Sequence, residues 1–187
     1  MYKKQIVLIL ILAFIVLLLG AYLLYSRLGS QAAPEQLGSQ TTAGSAPAET
    51  VPDFTVYDME GNPVRLSDFF GKPIVLNFWA SWCGPCKMEM PDFQEKYLEL
   101  GEEIQFLMVN ATGGRETAES AKAFIQEQGY TFPVFLDTAN QAVMTYGAYS
   151  LPTTIFIDAE GIGVAKAVGA INAETLQKGI NMITGRE

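Results

Sequence analysis

The feature that most constrains this chain is the stretch Asn77-Phe78-Trp79-Ala80-Ser81-Trp82-Cys83-Gly84-Pro85-Cys86-Lys87, which holds its only two cysteines, spaced C-x-x-C. An apolar run from Ile74 to Trp79 leads in, and a helical pattern starting near Cys83 leads out. A strand that turns directly into a helix start puts Cys83 where unpaired backbone N–H groups and the helix dipole favour a thiolate. Cys86, one turn further in, is placed to attack a mixed disulfide on Cys83 and close an intramolecular one. That is dithiol–disulfide exchange, and it needs no cofactor beyond the Cys83–Cys86 pair.

Other uses of a C-x-x-C fit less well. Zinc takes four ligands, and the chain has no third cysteine and no histidine, so only a site shared between chains would serve. Covalent haem attachment needs a histidine after the second cysteine, where Lys87 stands. A purely structural disulfide across two residues would constrain little unfolded-chain entropy.

The N-terminal fifty residues read differently from the rest. Residues 1–5 carry Lys3 and Lys4, and residues 6–25 follow without a charge. At 1.5 Å rise per residue, a twenty-residue helix is about 30 Å long, the hydrocarbon thickness of a bilayer. The run is full length, no convincing cleavage site follows it, and an uncleaved anchor is expected. Two lysines and the amino terminus before the span, against Arg27 alone after it, place the N-terminus in the cytoplasm and the rest outside. Residues 26–50, rich in Ser, Gly, Ala, Gln, Thr and Pro, read as a flexible linker.

Residues 51–187 make one domain of ordinary size, with nine Lys/Arg against eighteen Asp/Glu. That balance argues against nucleic acid as a partner. The pattern predicts a strand–turn–strand hairpin over Asp53 to Leu66, one helical turn at Ser67–Phe70, and a buried central strand Ile74–Trp79. A helix runs from Cys83 to about Leu100, interrupted by Pro91, with Met88, Phe93, Tyr97, Leu98 and Leu100 on its buried side. Then come a strand at Ile104–Val109, a glycine-rich loop Asn110–Gly114 that lacks phosphate-binding spacing, and a helix at Thr117–Gln128 stopped by Gly129. A short strand Val134–Leu136, a helix at Thr138–Tyr146, a hairpin Thr153–Val168 and a helix Ala173–Ile183 complete an α/β fold: a mixed sheet sandwiched by helices.

The segment F-W-A-S-W-C-G-P-C-K-M resembles the active site of thioredoxins. The wider pattern, P-D-F, then G-N-P-V-R-L-S-D-F-F-G-K-P-I-V-L-N-F-W-A-S-W-C-G-P-C, then S-L-P-T-T-I-F-I-D-A-E-G, resembles the membrane-anchored ResA/TlpA-like branch of the thioredoxin superfamily. The resemblance covers Val51 to the C-terminus. It implies a thioredoxin-like sheet with an N-terminal hairpin extension, Cys83 as nucleophile and Cys86 as resolving thiol. It also implies a cis Pro152 against the dithiol, and a substrate groove shaped by Trp82, Gly84, Pro85, Leu151 and Pro152. By itself, Pro152 also reads as a residue that starts a strand.

The Gly-Pro pair between the cysteines is that of thioredoxins, at about −270 mV, which favours reduction of protein disulfides. The resemblance implies apocytochrome c cysteines as the leading substrate and a membrane protein as electron donor. A thiol oxidase or isomerase would share every motif. A peroxiredoxin would need P-x-x-x-[ST]-x-x-C, whose first two places are filled by Leu76 and Ala80. A binding module without activity is disfavoured by two intact cysteines.

One departure stands out. Thioredoxins carry a buried aspartate where this chain has Asn77, which leaves the proton acceptor for Cys86 unassigned. Glu89 is the nearest acid after Cys86, with nothing in the sequence to orient it. Without a carboxylate at position 77, Cys83 is expected to be more acidic and the couple less reducing than in a thioredoxin. Cys83 is also expected to present its sulfur to solvent.

Overall fold

A computed structural model describes residues 5, 17–19, 38–39 and 50–186. Contacts divide the chain into Met1–Glu35 and Gln36–Glu187, and the description below concerns the second unit. The predicted anchor lies outside the described residues except for 17–19, which are helical and exposed. Among the described residues no helix is long and apolar enough to cross a membrane.

The strands are β1 (Gly38–Ser39), β2 (Thr55–Tyr57), β3 (Pro63–Arg65), β4 (Ile74–Trp79), β5 (Gln105–Asn110), β6 (Val134–Leu136), β7 (Thr153–Ile157) and β8 (Gly163–Val168). The helices are α1 (Gly84–Leu100), α2 (Ala118–Gln128), α3 (Gln141–Tyr146) and α4 (Ala173–Thr184), with one 3-10 turn at Leu66–Phe69. The sheet order is β1-β8-β7-β4-β5-β6-β2-β3. β4, β5 and β6 are mutually parallel, while β7 runs antiparallel to β4 and pairs with β8 in a hairpin. The expected N-terminal hairpin is present as β2 and β3, and it joins the sheet through a Tyr57–Leu136 pairing. β1, from the stretch read as a linker, pairs antiparallel with β8.

Every residue of β4 is buried, because both faces of the central sheet are covered. Side chains alternate across it. Ile74, Leu76 and Phe78 join Leu107, Val109, Phe135 and Val143 in one core cluster. Val75 and Trp79 face the other way, into a cluster with both cysteines, Phe93, Phe106, Phe156 and Ile180. Asn77 shares that second parity, so a polar side chain is sent into the layer that carries the dithiol. α4 lies so close to the sheet that a Cβ on Gly179 would sit 2.2 Å from Phe156 Cζ.

The buried side of α1 differs from the one predicted. Cys86, Glu89, Met90, Phe93 and Leu100 point inward, whereas Met88 and Leu98 are 71% and 72% exposed. At about 100° per residue, Met88 projects roughly 200° away from Cys86. The closed Cys86 fixes the helical phase, and that phase excludes Met88. α3 is also shorter than predicted, since Asn140 takes a left-handed conformation (φ 54°) at its N-terminus.

Candidate active site

Cys83 sits at the junction of the β4 turn and α1, as the N-cap of the helix, and its Sγ accepts a hydrogen bond from the Cys86 N–H at 3.2 Å. The cap arises locally: Cys83 N–H bonds back to Ala80 O at 3.1 Å, and Pro85 in the first turn gives up an N–H that would have had no helical partner. Cys83 and Cys86 are joined as a disulfide with their Cα atoms 5.3 Å apart. In this form Cys83 is only 4% exposed, so its sulfur is not open to solvent as expected; Cys86 is fully buried.

Around the pair, Trp82 is 48% exposed, and Gly84 and Pro85 are exposed. Leu151 is half-buried against the cluster containing both cysteines. The Leu151–Pro152 peptide is cis, and Pro152 O accepts the Gly169 N–H at 2.8 Å.

Beneath α1 lies the group whose role the sequence left open. Glu89 is 2% exposed and points into the core. One carboxylate oxygen accepts the Asn77 amide at 2.8 Å; the other accepts the Ile171 N–H at 3.0 Å, from the loop between β8 and α4. Asn77 also donates to Thr154 Oγ1 at 3.0 Å, while its own Oδ1 is buried without a partner among the described residues. Burial pushes the Glu89 carboxyl up from its usual 4.5 to about 7, against the pull of the hydrogen bonds from Ile171 and Asn77; the charge of Asp92 adds to the rise. A cleft lined by Met88, Glu89, Asp92, Ala170, Ile171 and Asn172 leads to it.

The site therefore contains an internal acid–base group on the buried face of α1, three residues beyond Cys86. Residues at that spacing are neighbours on a helix. The expectation of a less reducing couple rested on the missing carboxylate at position 77; Glu89 places one in the same layer from the helix side. Its signal was readable: a helical phase set on Cys86 instead of Met88 turns position 89 inward.

A buried central strand, a C-x-x-C capping the next helix and a closed disulfide define a thioredoxin-like protein of dithiol–disulfide exchange. The chain belongs to the AhpC/TSA family, whose profile matches residues 47–165. It is 33% identical over 184 residues to the thiol-disulfide oxidoreductase ResA of Geobacillus thermodenitrificans, covering 97% of this chain and 98% of the relative. It is 38% identical over 136 residues to ResA of Bacillus thuringiensis, covering 71% and 76% of the two chains. Among solved structures it resembles the exposed lipoprotein thioredoxin Etrx1 of Streptococcus pneumoniae, with a TM-score of 0.61 and 33% identity over 68% of this chain and 96% of that one. The protein is a thiol–disulfide oxidoreductase of the ResA type, acting through Cys83 and Cys86.

Proposed function

We propose that this protein reduces disulfides in other proteins outside the cytoplasmic membrane, tethered by residues 6–25, with apocytochrome c cysteines as the leading substrate class. Cys83 attacks the substrate disulfide, and Cys86 then resolves the mixed disulfide. Trp82, Gly84, Pro85, Leu151 and Pro152 form the groove that receives the substrate chain. A membrane protein returns the electrons, since cytosolic donors do not reach that side.

The observation that carries this reading is the buried Glu89 carboxyl on the Cys86 face of α1. With a pKa of about 7 it is matched to taking the Cys86 proton as that thiol attacks. A negative charge in the same layer also disfavours thiolates, which makes the dithiol readier to give up its electrons. Leu76 and Ala80, in place of the peroxidatic proline and threonine, disfavour peroxide reduction. The outer location is supported by the lysine asymmetry across residues 6–25 and by the likeness to an exposed lipoprotein thioredoxin.

The test is mixed-disulfide trapping in intact cells with Cys86→Ser, combined with protease added to spheroplasts. Trapped apocytochrome c and a released fragment beginning between Ser26 and Thr50 are expected. A fully protected domain would overturn the location, and a trapped set without haem-binding cysteines would overturn the substrate class.

A further inference from the structure

The glycine-rich loop after β5 lacks the spacing of a phosphate cradle, and it ends in a buried carboxyl side chain. Glu116 is 2% exposed, and both its oxygens are engaged. Oε1 accepts the Ser81 N–H at 2.9 Å and the Asn110 amide at 2.8 Å; Oε2 accepts the Ser81 hydroxyl at 2.8 Å. The loop is closed on itself by reciprocal 3.0 Å bonds between Gly113 and Glu116, and is tied to the end of β4 by Ala111 N–H to Trp79 O at 2.9 Å. One residue before, the Arg115 guanidinium lies 4.1 Å from the centre of the Trp82 ring. Burying a carboxylate is expensive unless several donors meet it, and here two of the three come from the turn that leads to Cys83.

We propose that the loop Ala111–Glu116 is a two-point clamp on the active-site turn: Glu116 is the positioning residue that fixes Ser81 from beneath, and Arg115 holds the Trp82 indole as one wall of the substrate groove. Ser81 is two residues from Cys83, and Cys83 N–H is bonded to Ala80 O. With Ser81 fixed through both its N–H and its hydroxyl, the turn enters α1 at a set angle, and the sulfur of Cys83 meets the first helical N–H groups without reorganisation. Neither residue touches the reacting sulfurs. The clamp serves exchange in either direction and so stands apart from whether the cell uses the protein as a reductant.

The test uses the full chain carrying Glu116→Ala, Glu116→Gln, Ser81→Ala or Arg115→Ala. Three quantities are read: kcat and KM with a disulfide-closed peptide, the pH profile of Cys83 alkylation by iodoacetamide, and the thermal midpoint. Glu116→Ala, which removes all three of these hydrogen bonds, is expected to lower kcat/KM about tenfold and to move the alkylation profile to higher pH. Glu116→Gln should recover to within about threefold, because its oxygen still accepts two bonds and its amide donates to the Ser81 hydroxyl. A folded Glu116→Ala with unchanged kinetics and profile overturns the clamp, and a Glu116→Gln as impaired as the alanine variant shows charge, not geometry, to be the cause. Should Glu116→Ala not fold, Ser81→Ala, which removes only the hydroxyl contact, is expected to show a loss of about threefold; full activity there overturns the proposal equally. Arg115→Ala should raise KM about threefold with kcat unchanged, and an unchanged KM overturns the second contact.

Discussion

Glu89 and Asn77 meet inside the core at 2.8 Å, a carboxylate on α1 accepting from an amide on β4, the two elements that flank the dithiol turn. The strand contributes the neutral partner and the helix the ionisable one. Among the described residues Asn77 Oδ1 has no partner, and an amide turned over would let that oxygen accept a hydrogen bond from the neutral Glu89 carboxyl, at the cost of the Nδ2 bonds to Glu89 and Thr154.

The raised Glu89 pKa makes stability depend on pH. Between about 4.5 and about 7 the folded protein holds a proton that the unfolded chain has released. Stability therefore falls as pH rises through that window, and above it the site has withdrawn up to about 3 kcal/mol. Glu89→Gln should abolish this slope. Urea denaturation of both proteins at pH 5 and pH 8 measures it, and parallel slopes would refute the assignment.

The same group governs resolution. Release of product from a Cys83 mixed disulfide should accelerate with pH through about 7 in the native protein. Glu89→Gln should lose that rise and slow the step about a hundredfold, the worth of a general base. Stopped-flow measurement of product release across pH gives both numbers.

Asn77→Asp would set a second carboxyl 2.8 Å from the first. Two carboxylates at that distance do not both ionise readily, so the pair should titrate in two separated steps. The variant should lose stability steeply at alkaline pH. Its couple should become more reducing, by about 30 mV for each 1.4 kcal/mol of thiolate destabilisation. Glutathione titration reads the midpoint; an unmoved value would show position 77 to be uncoupled from the sulfurs.

In the reduced protein, iodoacetamide should label Cys83 before Cys86. Both are buried in the closed form, but Cys83 caps the helix N-terminus, where the dipole favours its thiolate, whereas Cys86 lies inside the helix among apolar neighbours. Peptide mass analysis after brief labelling decides the order, and modification starting at Cys86 would exchange the two roles.

Gly179→Ala should destabilise the fold by about 1–3 kcal/mol, since its methyl would overlap the Phe156 ring. Thermal melts measure the loss, while the kinetics of the dithiol should hold.

The fold was legible where apolar periodicity was strong and bounded by glycine or proline. β4, β6, β7 and β8 fall on the predicted residues, because continuous buried runs leave few alternatives. α1 was harder: Glu89 occupies an inward position that an apolar pattern assigns to a hydrophobe, and Met88 beside it supplied a false phase. The cysteines announce themselves by spacing, and the proline loop by its resemblance to the thioredoxin pattern. Glu116 does not, since its burial depends on a loop folding back onto Ser81, a contact across thirty-five residues that no local pattern encodes.

The atom that caps α1 is the atom that stores the electrons. A disulfide sulfur is a feeble acceptor for the Cys86 N–H, while a thiolate in its place is an anion set at the positive end of a helix. Opening the ring changes the strength of the cap, and with it the free energy of the whole folded domain relative to its oxidised form. Because the thermodynamic cycle must close, the gap in unfolding free energy between the oxidised and reduced proteins, divided by the Faraday constant and the two electrons transferred, gives the shift in midpoint potential that folding imposes on the two sulfurs. A pair of melting curves, one in each redox state, is for this protein an electrochemical measurement made without an electrode.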